Sequence, residues 1–270
     1  MRTRKRFGQH FLEPVWVRKL LDVVAPLPDD VFLEIGPGEG ALTLPLARLV
    51  RRVVAIEIDR DLARLLARAA PENVQVVTAD FLRSDLVALL RGGDSPVRVA
   101  GNLPYNISSP ILFRLLAIAD EGRFLADATL MLQREVADRI VAGPGDTDYG
   151  VASIMIQFLG RVERSLLLPP GAFRPPPRVS SAVVHIAFTP PTVKVADRHL
   201  LEQMVRAMFM HRRKTVGNAL RDFAATRGLR ASETLANAGI DASRRPETLD
   251  LPELARLADV FTSASRPDVL

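Results

Sequence analysis

The sequence predicts an α/β protein with a mainly parallel sheet, followed by a small all-helical domain at the C-terminal end. Three observations lead to this class. Short apolar runs typical of strands alternate with helical patterns between residues 31 and 187. A Thr189-Pro190-Pro191 break then interrupts the chain, and only helical patterns follow it.

The length and composition of the chain limit the classes of protein and the kinds of site that it can contain. The chain has 270 residues, enough for one large domain or two unequal ones, and its 48% hydrophobic and 25% charged residues are typical of globular proteins. The absence of cysteine excludes disulfides, cysteine-bound metals and a thiol nucleophile. The four histidines are scattered, so no metal site is expected. The sequence has neither the apolar segment of a signal peptide nor an apolar run long enough to span a membrane. We therefore expect no signal peptide, no membrane span and a cytoplasmic location.

The strand and helix patterns alternate in the order that βαβ units require. Leu62, Leu65, Leu66 and Ala69 fall at i, i+3, i+4 and i+7, which predicts a helix with one buried face. Strands are predicted at 31–35, 53–58, 74–78, 97–100, 128–132, 162–167 and 182–188, and further helices at 109–119 and 133–142. A proline-rich loop at 169–177 separates the last two strands.

The proline break predicts two domains, residues 1–188 and residues 189–270. Helices in the second domain are predicted at 199–210, 215–227, 231–238 and 251–260. Ser232 with its neighbours and Asp250 have the residue types of helix starts.

A glycine-rich loop, Gly36-Pro37-Gly38-Glu39-Gly40, follows the first strand of this series and opens a helix. Glycines let a backbone approach a ligand closely, and in an open α/β sheet ligands bind at the carboxyl ends of the strands. Glu57 ends the next strand and can accept hydrogen bonds from two ribose hydroxyls. Asp80 follows the third strand and can accept from an adenine amino group, with Phe81 as an apolar wall. Both a dinucleotide and S-adenosylmethionine fit this spacing, and the phosphate-free S-adenosylmethionine fits GPGEG better.

A second motif, Asn102-Leu103-Pro104-Tyr105, follows the fourth strand. The Asn102 side-chain oxygen and the Leu103 carbonyl can both accept from an exocyclic amine, while Tyr105 can stack on a base. Two acceptors on an adenine amine favour a pyramidal nitrogen whose lone pair points at a sulfonium methyl. Standing alone, the motif would be an ordinary Asn-Xaa-Pro turn.

These motifs together resemble the ribosomal RNA adenine dimethyltransferase family, and within it the small-subunit branch (dimethyladenosine transferase, or kasugamycin-resistance methyltransferase). The resemblance covers nearly the whole chain. Beside the residues above it includes Gly8–Leu12 (GQHFL), the stretch 173–181 (FRPPPRVSS) and the stretch 209–215 (FMHRRKT). It implies a Rossmann-like S-adenosylmethionine-dependent methyltransferase domain in residues 1–188 and an RNA- or ribosome-binding domain in residues 189–270.

The resemblance also implies roles for single residues. Asn102, Leu103, Tyr105 and Phe173 would act on the target base, with Tyr105 and Phe173 holding it. The cofactor would contact His10, Leu12, Gly36, Gly38, Glu57, Asp80, Phe81 and Asn102. The family usually has asparagine where this chain has His10, and a backbone contact survives that change whereas a side-chain amide contact does not.

The implied activity is transfer of two methyl groups to each of two adjacent adenosines, in a hairpin loop near the 3′ end of small-subunit ribosomal RNA. The partner would be that RNA in the immature small subunit, and the enzyme would act in ribosome biogenesis as a monomer. Two basic clusters would contact the RNA backbone, within a net charge of +5. They are Arg4, Lys5 and Arg6, and Arg212, Arg213 and Lys214.

Other functions remain open at this point. A large-subunit methylase that confers macrolide resistance shares the catalytic motifs, and the 169–177 loop and the RRKT cluster favour the small-subunit enzyme by resemblance. A ribosome assembly factor with secondary methylation is compatible with the same chain. A DNA adenine methylase would share only the NLPY motif, and an oxidoreductase would need a proton relay that the sequence lacks.

Overall fold

The computed structural model describes residues 10–90, 96–122 and 124–264. These fall into two compact units: the first draws on residues 1–137 and 159–189, and the second on residues 138–158 and 190–270. The chain passes from the first unit to the second for the last time between residues 189 and 190, one residue from the predicted domain boundary. The sequence prediction places residues 138–158 in the first domain, whereas the structure includes them in the second unit. The sequence patterns did not predict this assignment, because a helical pattern does not indicate which unit the helix packs against.

Among the described residues, the first unit contains a sheet of seven strands in the order β4-β3-β2-β5-β6-β9-β7. A separate two-stranded ribbon is formed by β1 and β8. The strands β4, β3, β2, β5 and β6 run parallel to one another, β9 pairs antiparallel with β6, and the edge strand β7 pairs antiparallel with β9. The strands are β1 (Phe11–Leu12), β2 (Val31–Ile35), β3 (Arg52–Glu57), β4 (Val74–Thr78), β5 (Val97–Asn102), β6 (Leu125–Gln133), β7 (Gly160–Leu168), β8 (Phe173–Arg174) and β9 (Ser181–Phe188). Each of the seven predicted strands is therefore present, and the predicted α/β class is confirmed.

The helices occupy the connections and the second unit. They are α1 (Pro14–Val24), α2 (Thr43–Ala47), α3 (Arg60–Ala69), α4 (Leu86–Leu90), α5 (Ser108–Gly122), α6 (Arg134–Val141), α7 (Val151–Leu159), α8 (Arg198–Met210), α9 (Val216–Ala219), α10 (Arg221–Ala225), α11 (Ala231–Asn237) and α12 (Leu251–Ala264). Helix α3 starts where Asp59 accepts from the amides of Asp61 and Leu62. Its buried face contains Leu62 and Leu66, whereas Leu65 is 43% exposed, contrary to the predicted face.

Helix α1 is held to the sheet by Arg98 of β5. The guanidinium donates to the carbonyls of Val24 and Ala25 at the end of the helix, at 2.7 and 3.1 Å. It also pairs with Asp30 at 2.7 Å and Asp127 at 2.9 Å, so its buried charge is balanced. This clamp fixes a helix whose Leu20 reaches the cavity described below.

The sheet order places the site. Strand β2 lies between β3 and β5, so the connections after β2 and after β5 leave in opposite directions along the sheet. Ile35 pairs with Ile56 on one side and with Gly101 on the other. A crevice at the carboxyl ends of strands is expected where the strand order reverses in this way.

In the second unit, helix α12 begins with a reciprocal cap. The Glu253 amide donates to Asp250 at 2.8 Å, and the Asp250 amide donates to Glu253 at 3.0 Å, which confirms Asp250 as a helix start. Helix α11 starts one residue before Ser232, after Arg230. The predicted single helix 215–227 is two short helices separated by Leu220.

Helix α7 was not predicted. Its sequence, VASIMIQFL, is apolar almost throughout, so it shows no polar face and no helical period. None of the helices described is both long and apolar enough to cross a membrane. Within the ranges described, no cluster of three or more histidine, aspartate or glutamate side chains is arranged to hold a metal ion.

Candidate functional site

A cavity of about 350 Å³ opens in the first unit at the carboxyl ends of the parallel strands. Its wall includes three carboxylates, from Glu34, Glu57 and Asp80, and no lysine or arginine of the described chain. The other predicted site residues that line it are His10, Leu12, Gly36, Gly38, Phe81, Asn102, Leu103 and Tyr105. The cavity is therefore apolar with an acidic character, which suits a positively charged ligand without phosphates.

The glycine loop forms the floor of this cavity. Gly36 and Gly38 have φ values of +68° and +59°, in the left-handed region that favours glycine. A Cβ on Gly38 would lie 3.1 Å from the ring of Phe11, so β1 packs directly on the loop. The Gly36 amide donates to Ile56 of β3 at 2.9 Å. The backbone of the loop therefore lies close to β1 and β3, as its glycine-rich sequence predicts.

Glu57 supports the loop from the end of β3. It accepts from the Gly38 amide at 3.0 Å and from the Asp59 amide at 2.9 Å, one through each oxygen. Burial raises the pKa of this carboxyl above its usual value, while these two amides oppose the rise. Because each carboxylate oxygen has two acceptor positions, Glu57 retains the capacity for two ligand hydroxyls.

Glu34, one strand away, was not predicted as a site residue. Burial raises its pKa to about 7, and the Glu57 charge adds to the rise. Its Oε2 and the Thr43 hydroxyl have no hydrogen-bond partner among the described residues. A glutamate inside an otherwise apolar strand, VFLEI, was the signal available in the sequence.

Asp80 and Phe81 form another part of the wall. Asp80 accepts from the Leu82 amide at 2.9 Å and lies 3.7 Å from the Arg83 guanidinium. Phe81 is buried and lines the cavity. Asp80 thus organises its own turn, and its remaining acceptor positions are the ones an adenine amine would use.

Asn102 occupies the end of β5. Its Nδ2 donates to the His10 carbonyl at 2.8 Å, so the amide nitrogen faces the residue before β1 and the amide oxygen points away from it. The Leu103 amide donates to the Met131 carbonyl at 3.1 Å, which fixes the backbone of the following residue. The contact to position 10 is made by the backbone, so histidine in place of asparagine leaves it intact.

Tyr105 is held at both ends. Its hydroxyl lies 2.6 Å from the Ser181 hydroxyl of β9, and its carbonyl accepts from Ser108 at 3.3 Å. Burial raises the pKa of the phenol, and the Ser181 hydrogen bond opposes this. Ser181 is fully buried and was not predicted as a site residue, although it lies in the FRPPPRVSS stretch. The tyrosine ring is therefore fixed before any base arrives.

Phe173 does not reach the cavity in this structure. It pairs with Leu12 between β8 and β1, is 2% exposed, and belongs to the hydrophobic core of the first unit. The ring is packed in the core in this structure, and its predicted contact with the target base stays a prediction. The ring that faces Tyr105 is instead that of His10.

The predicted RNA-contacting residues divide into three cases. Arg4, Lys5 and Arg6 lie outside the described residues. Arg212 contacts Glu247 at 3.8 Å and donates to the Asp146 carbonyl at 3.2 Å, both in the second unit. Arg213 and Lys214 are exposed to solvent. The three neighbours in sequence therefore do not present equally accessible charges.

Comparison with known proteins gives a consistent result. A family model described as ribosomal RNA adenine dimethylase matches residues 1–256. The chain is 42% identical over 267 residues to ribosomal RNA small subunit methyltransferase A of Aromatoleum aromaticum, which covers 98% of this chain and 96% of that protein. It is 41% identical over 261 residues to the protein of the same name from Xylella fastidiosa, covering 95% of each.

Two solved structures share the architecture. A dimethyladenosine transferase from Plasmodium falciparum superposes with a TM-score of 0.77, covering 94% of this chain and 98% of that one. Its 22% identity makes this a likeness of fold. The 23S rRNA methyltransferase ErmE superposes with a TM-score of 0.67 at 27% identity, covering 93% and 99%. The Rossmann-like sheet with an appended helical unit is common to this group.

Proposed function

Because the chain belongs to the ribosomal RNA adenine dimethylase family, we propose that it dimethylates two adjacent adenosines in a hairpin loop near the 3′ end of small-subunit ribosomal RNA, with S-adenosylmethionine as methyl donor. The observation that carries this proposal is the placement of Asn102, Leu103 and Tyr105 on an acidic, apolar cavity. The immature small ribosomal subunit is the proposed partner, and we expect the enzyme to act in the cytoplasm as a monomer.

The cavity fits the proposed cofactor. S-adenosylmethionine supplies an electrophilic methyl group on a positively charged sulfonium when it is bound. Glu57 would hold the ribose, Asp80 and Phe81 the adenine, and the loop at Gly36 and Gly38 the methionine part. Leu12 of β1 and His10, which precedes this strand, complete the predicted set.

A dinucleotide fits less well. The Gly38 amide, which a pyrophosphate would require, already donates to the Glu57 carboxylate at 3.0 Å. A phosphate there would meet the charge of that carboxylate with no basic side chain in the described lining to offset it.

The chain's own groups account for activation of the amine. The Asn102 oxygen and the Leu103 carbonyl would accept the two hydrogens of the adenine amine, which turns its lone pair toward the methyl group. Tyr105, fixed by Ser181, would hold the ring plane. The gain is positioning and electrostatics in the transition state, and no strong base is needed because an alkylated amine is acidic.

Loop adenosines are a suitable substrate for such a site. Their bases are already unpaired, so bringing one into a pocket costs less than extruding it from a duplex. The relatives that are 41–42% identical carry the small-subunit name, whereas the 23S enzyme is 27% identical, which favours the small subunit.

The test is methyl transfer from labelled S-adenosylmethionine to small subunits that lack the modification, with large subunits and duplex DNA in parallel. Nucleosides from the digested RNA are identified by mass. We expect dimethyladenosine from small-subunit RNA only. Label in large-subunit RNA would support the resistance methylase, and cofactor binding without any transfer would support an assembly factor.

A further inference from the structure

A half-buried arginine, Arg114 of α5, contacts the chain segment that follows β4. Its Nη2 donates to the carbonyl of Ser84 at 2.5 Å. Its Nε is buried and has no hydrogen-bond partner among the described residues. Withdrawing a guanidinium from water for a single hydrogen bond costs free energy, so a gain in stability is a poor explanation for this contact. The sequence patterns did not single out this residue.

The segment that Arg114 contacts is the turn formed by residues 80–84, here called the Asp80 turn. The Asp80 carbonyl accepts from the amides of Arg83 and Ser84 at 3.0 Å each, and from the Ser84 hydroxyl at 2.7 Å. The Asp80 side chain accepts from the Leu82 amide at 2.9 Å. All of these bonds lie within the turn. They set its shape, but they do not set its position on the cavity wall.

Contacts to two other elements set that position. Just before the turn, the Ala79 amide donates to the Glu57 carbonyl of β3 at 3.0 Å. Among the described hydrogen bonds, the one that joins the turn itself to another element is the bond from Arg114 to Ser84. The turn is therefore held at its start by β3 and at its end by α5.

Arg114 also lies beside the cavity. Ile111, three residues earlier in α5, lines the cavity together with Asp80 and Leu82. Side chains three residues apart lie on the same face of a helix. Arg114 is thus one helical turn along α5 from the cavity wall, and its side chain connects the two parts of that wall that α5 and the Asp80 turn contribute.

We propose that Arg114 is a positioning residue that holds the Asp80 turn where the Asp80 carboxylate meets the exocyclic amine of the cofactor's adenine. This inference rests on the proposed function, which assigns the adenine to Asp80. Arg114 acts through the Ser84 carbonyl and does not itself contact the ligand. The expected consequence is selectivity, because an acceptor at a fixed position favours a ligand that carries a donor there.

Three variants separate this role from a general effect on stability. Arg114→Met keeps a long unbranched side chain to pack against α5 but cannot donate. Arg114→Lys keeps one cationic donor, which is enough because the described contact uses one donor and not the guanidinium fork. Arg68→Ala, which removes an exposed arginine in the last turn of α3, is the matched control.

The experiment measures by calorimetry the Kd values of the full chain for S-adenosylhomocysteine and S-inosylhomocysteine. The inosyl compound has a carbonyl oxygen in place of the adenine amine, so it cannot donate to Asp80 from that position. We expect the unaltered protein to bind the adenosyl compound about tenfold more tightly. Arg114→Met should raise the adenosyl Kd about fivefold and leave the inosyl Kd nearly unchanged, which reduces the preference to about twofold. Arg114→Lys should retain most of the preference, and Arg68→Ala should retain all of it.

Two further readouts locate the effect. In Arg114→Met the KM for S-adenosylmethionine should rise while kcat at saturating cofactor stays within about twofold, because the Asn102 motif is unaltered. Hydrogen exchange of the free protein should be faster at the amides of Leu82 and Ser84 and unchanged in β2. The exchange measurement does not depend on the identity of the ligand.

Three results would overturn the proposal: an unchanged adenosyl preference in Arg114→Met, equal weakening of both ligands, or unchanged exchange in the Asp80 turn. An Arg114→Lys variant as impaired as Arg114→Met would do the same. If the unaltered protein showed no preference for the adenosyl compound, the adenine contact assigned to Asp80 in the proposed function would be wrong, and the role of Arg114 with it.

Discussion

The orientation of the Asn102 amide follows from one hydrogen bond. Because Nδ2 donates to the His10 carbonyl, the side-chain oxygen is the half of the amide left to accept from a substrate. The contact from position 10 to Asn102 is made by the backbone carbonyl of His10. A histidine in place of the family's usual asparagine therefore leaves this contact unchanged.

Asn102→Ala should abolish methyl transfer, with kcat reduced by about a thousandfold or more. The lost acceptor serves mainly the transition state, so the Kd for S-adenosylmethionine should rise by no more than about tenfold. Methyl transfer and calorimetry on the same preparations measure both, and Asn237→Ala, at an exposed position of α11, is the control. Near-full activity in Asn102→Ala would contradict the mechanism.

At the scale of elements, the site depends on β9 as much as on the parallel strands. This antiparallel strand pairs with β6 and places Ser181 under the Tyr105 hydroxyl. A side chain at the start of one strand thus sets the ring that follows the end of another. Neither strand's own sequence pattern reports this contact.

The hydrogen bond between Tyr105 and Ser181 should behave as a unit. Tyr105→Phe and Ser181→Ala should each lower kcat/KM about fivefold, the equivalent of one hydrogen bond of about 1 kcal/mol. The double variant should lose little more than either single one, as expected for one shared contact. Methyl-transfer kinetics test this, with Ser165→Ala on the exposed side of β7 as control. Fully additive losses would show that the hydroxyls act separately.

At the scale of the whole molecule, charge is distributed unevenly. The cavity of the first unit is acidic, whereas Arg213 and Lys214 of the second unit are exposed cations. A cationic cofactor and an anionic RNA would therefore be recognised by different parts of the chain. Arg212 has its own protein partners and is expected to contribute less to RNA binding than its neighbours.

Arg213→Ala and Lys214→Ala should each weaken binding to small subunits and reduce the slope of log K against log salt by about 0.7–0.9, since each removes one phosphate contact. Arg212→Ala should mainly lower the unfolding temperature through loss of the Glu247 contact. Binding titrations between 50 and 200 mM salt (about the physiological range) check the slopes. Lys194→Ala is the matched control, and unchanged slopes for residues 213 and 214 would contradict the assignment.

Glu34 should make stability depend on pH. Its pKa of about 7 in the folded chain lies above the ordinary value of 4.5, so the folded state binds more protons. Stability therefore falls as the pH rises from about 4.5 through 7, and the loss is complete above the folded pKa. At 1.36 kcal/mol per pKa unit the loss is at most about 3 kcal/mol at pH 8.

Glu34→Gln should remove that loss. The free energy of unfolding of the variant minus that of the unaltered protein should therefore be larger at pH 8 than at pH 5. Urea unfolding at both values measures the free energies. Glu72→Gln, at an exposed position, should show no such dependence. A Glu34→Gln difference that does not change with pH would contradict the burial argument.

The sequence by itself determined the α/β class, the seven strands, the glycine loop and the NLPY motif. These features depend on local sequence. Short apolar runs specify the strands, glycines permit the positive φ values of the loop, and proline stiffens the turn of the NLPY motif. The family resemblance added His10, Leu12 and Phe173, and the structure brings His10 and Leu12 to one cavity with Glu57 and Asp80.

Only the tertiary structure decided the partners of these residues. It buries Phe173, places the His10 ring on Tyr105, sets Ser181 beneath the phenol and includes residues 138–158 in the second unit. Each of these depends on contacts between residues far apart in the chain. Helical and strand periods describe which side of an element is apolar, but pairing between elements is set by the packing of the whole unit.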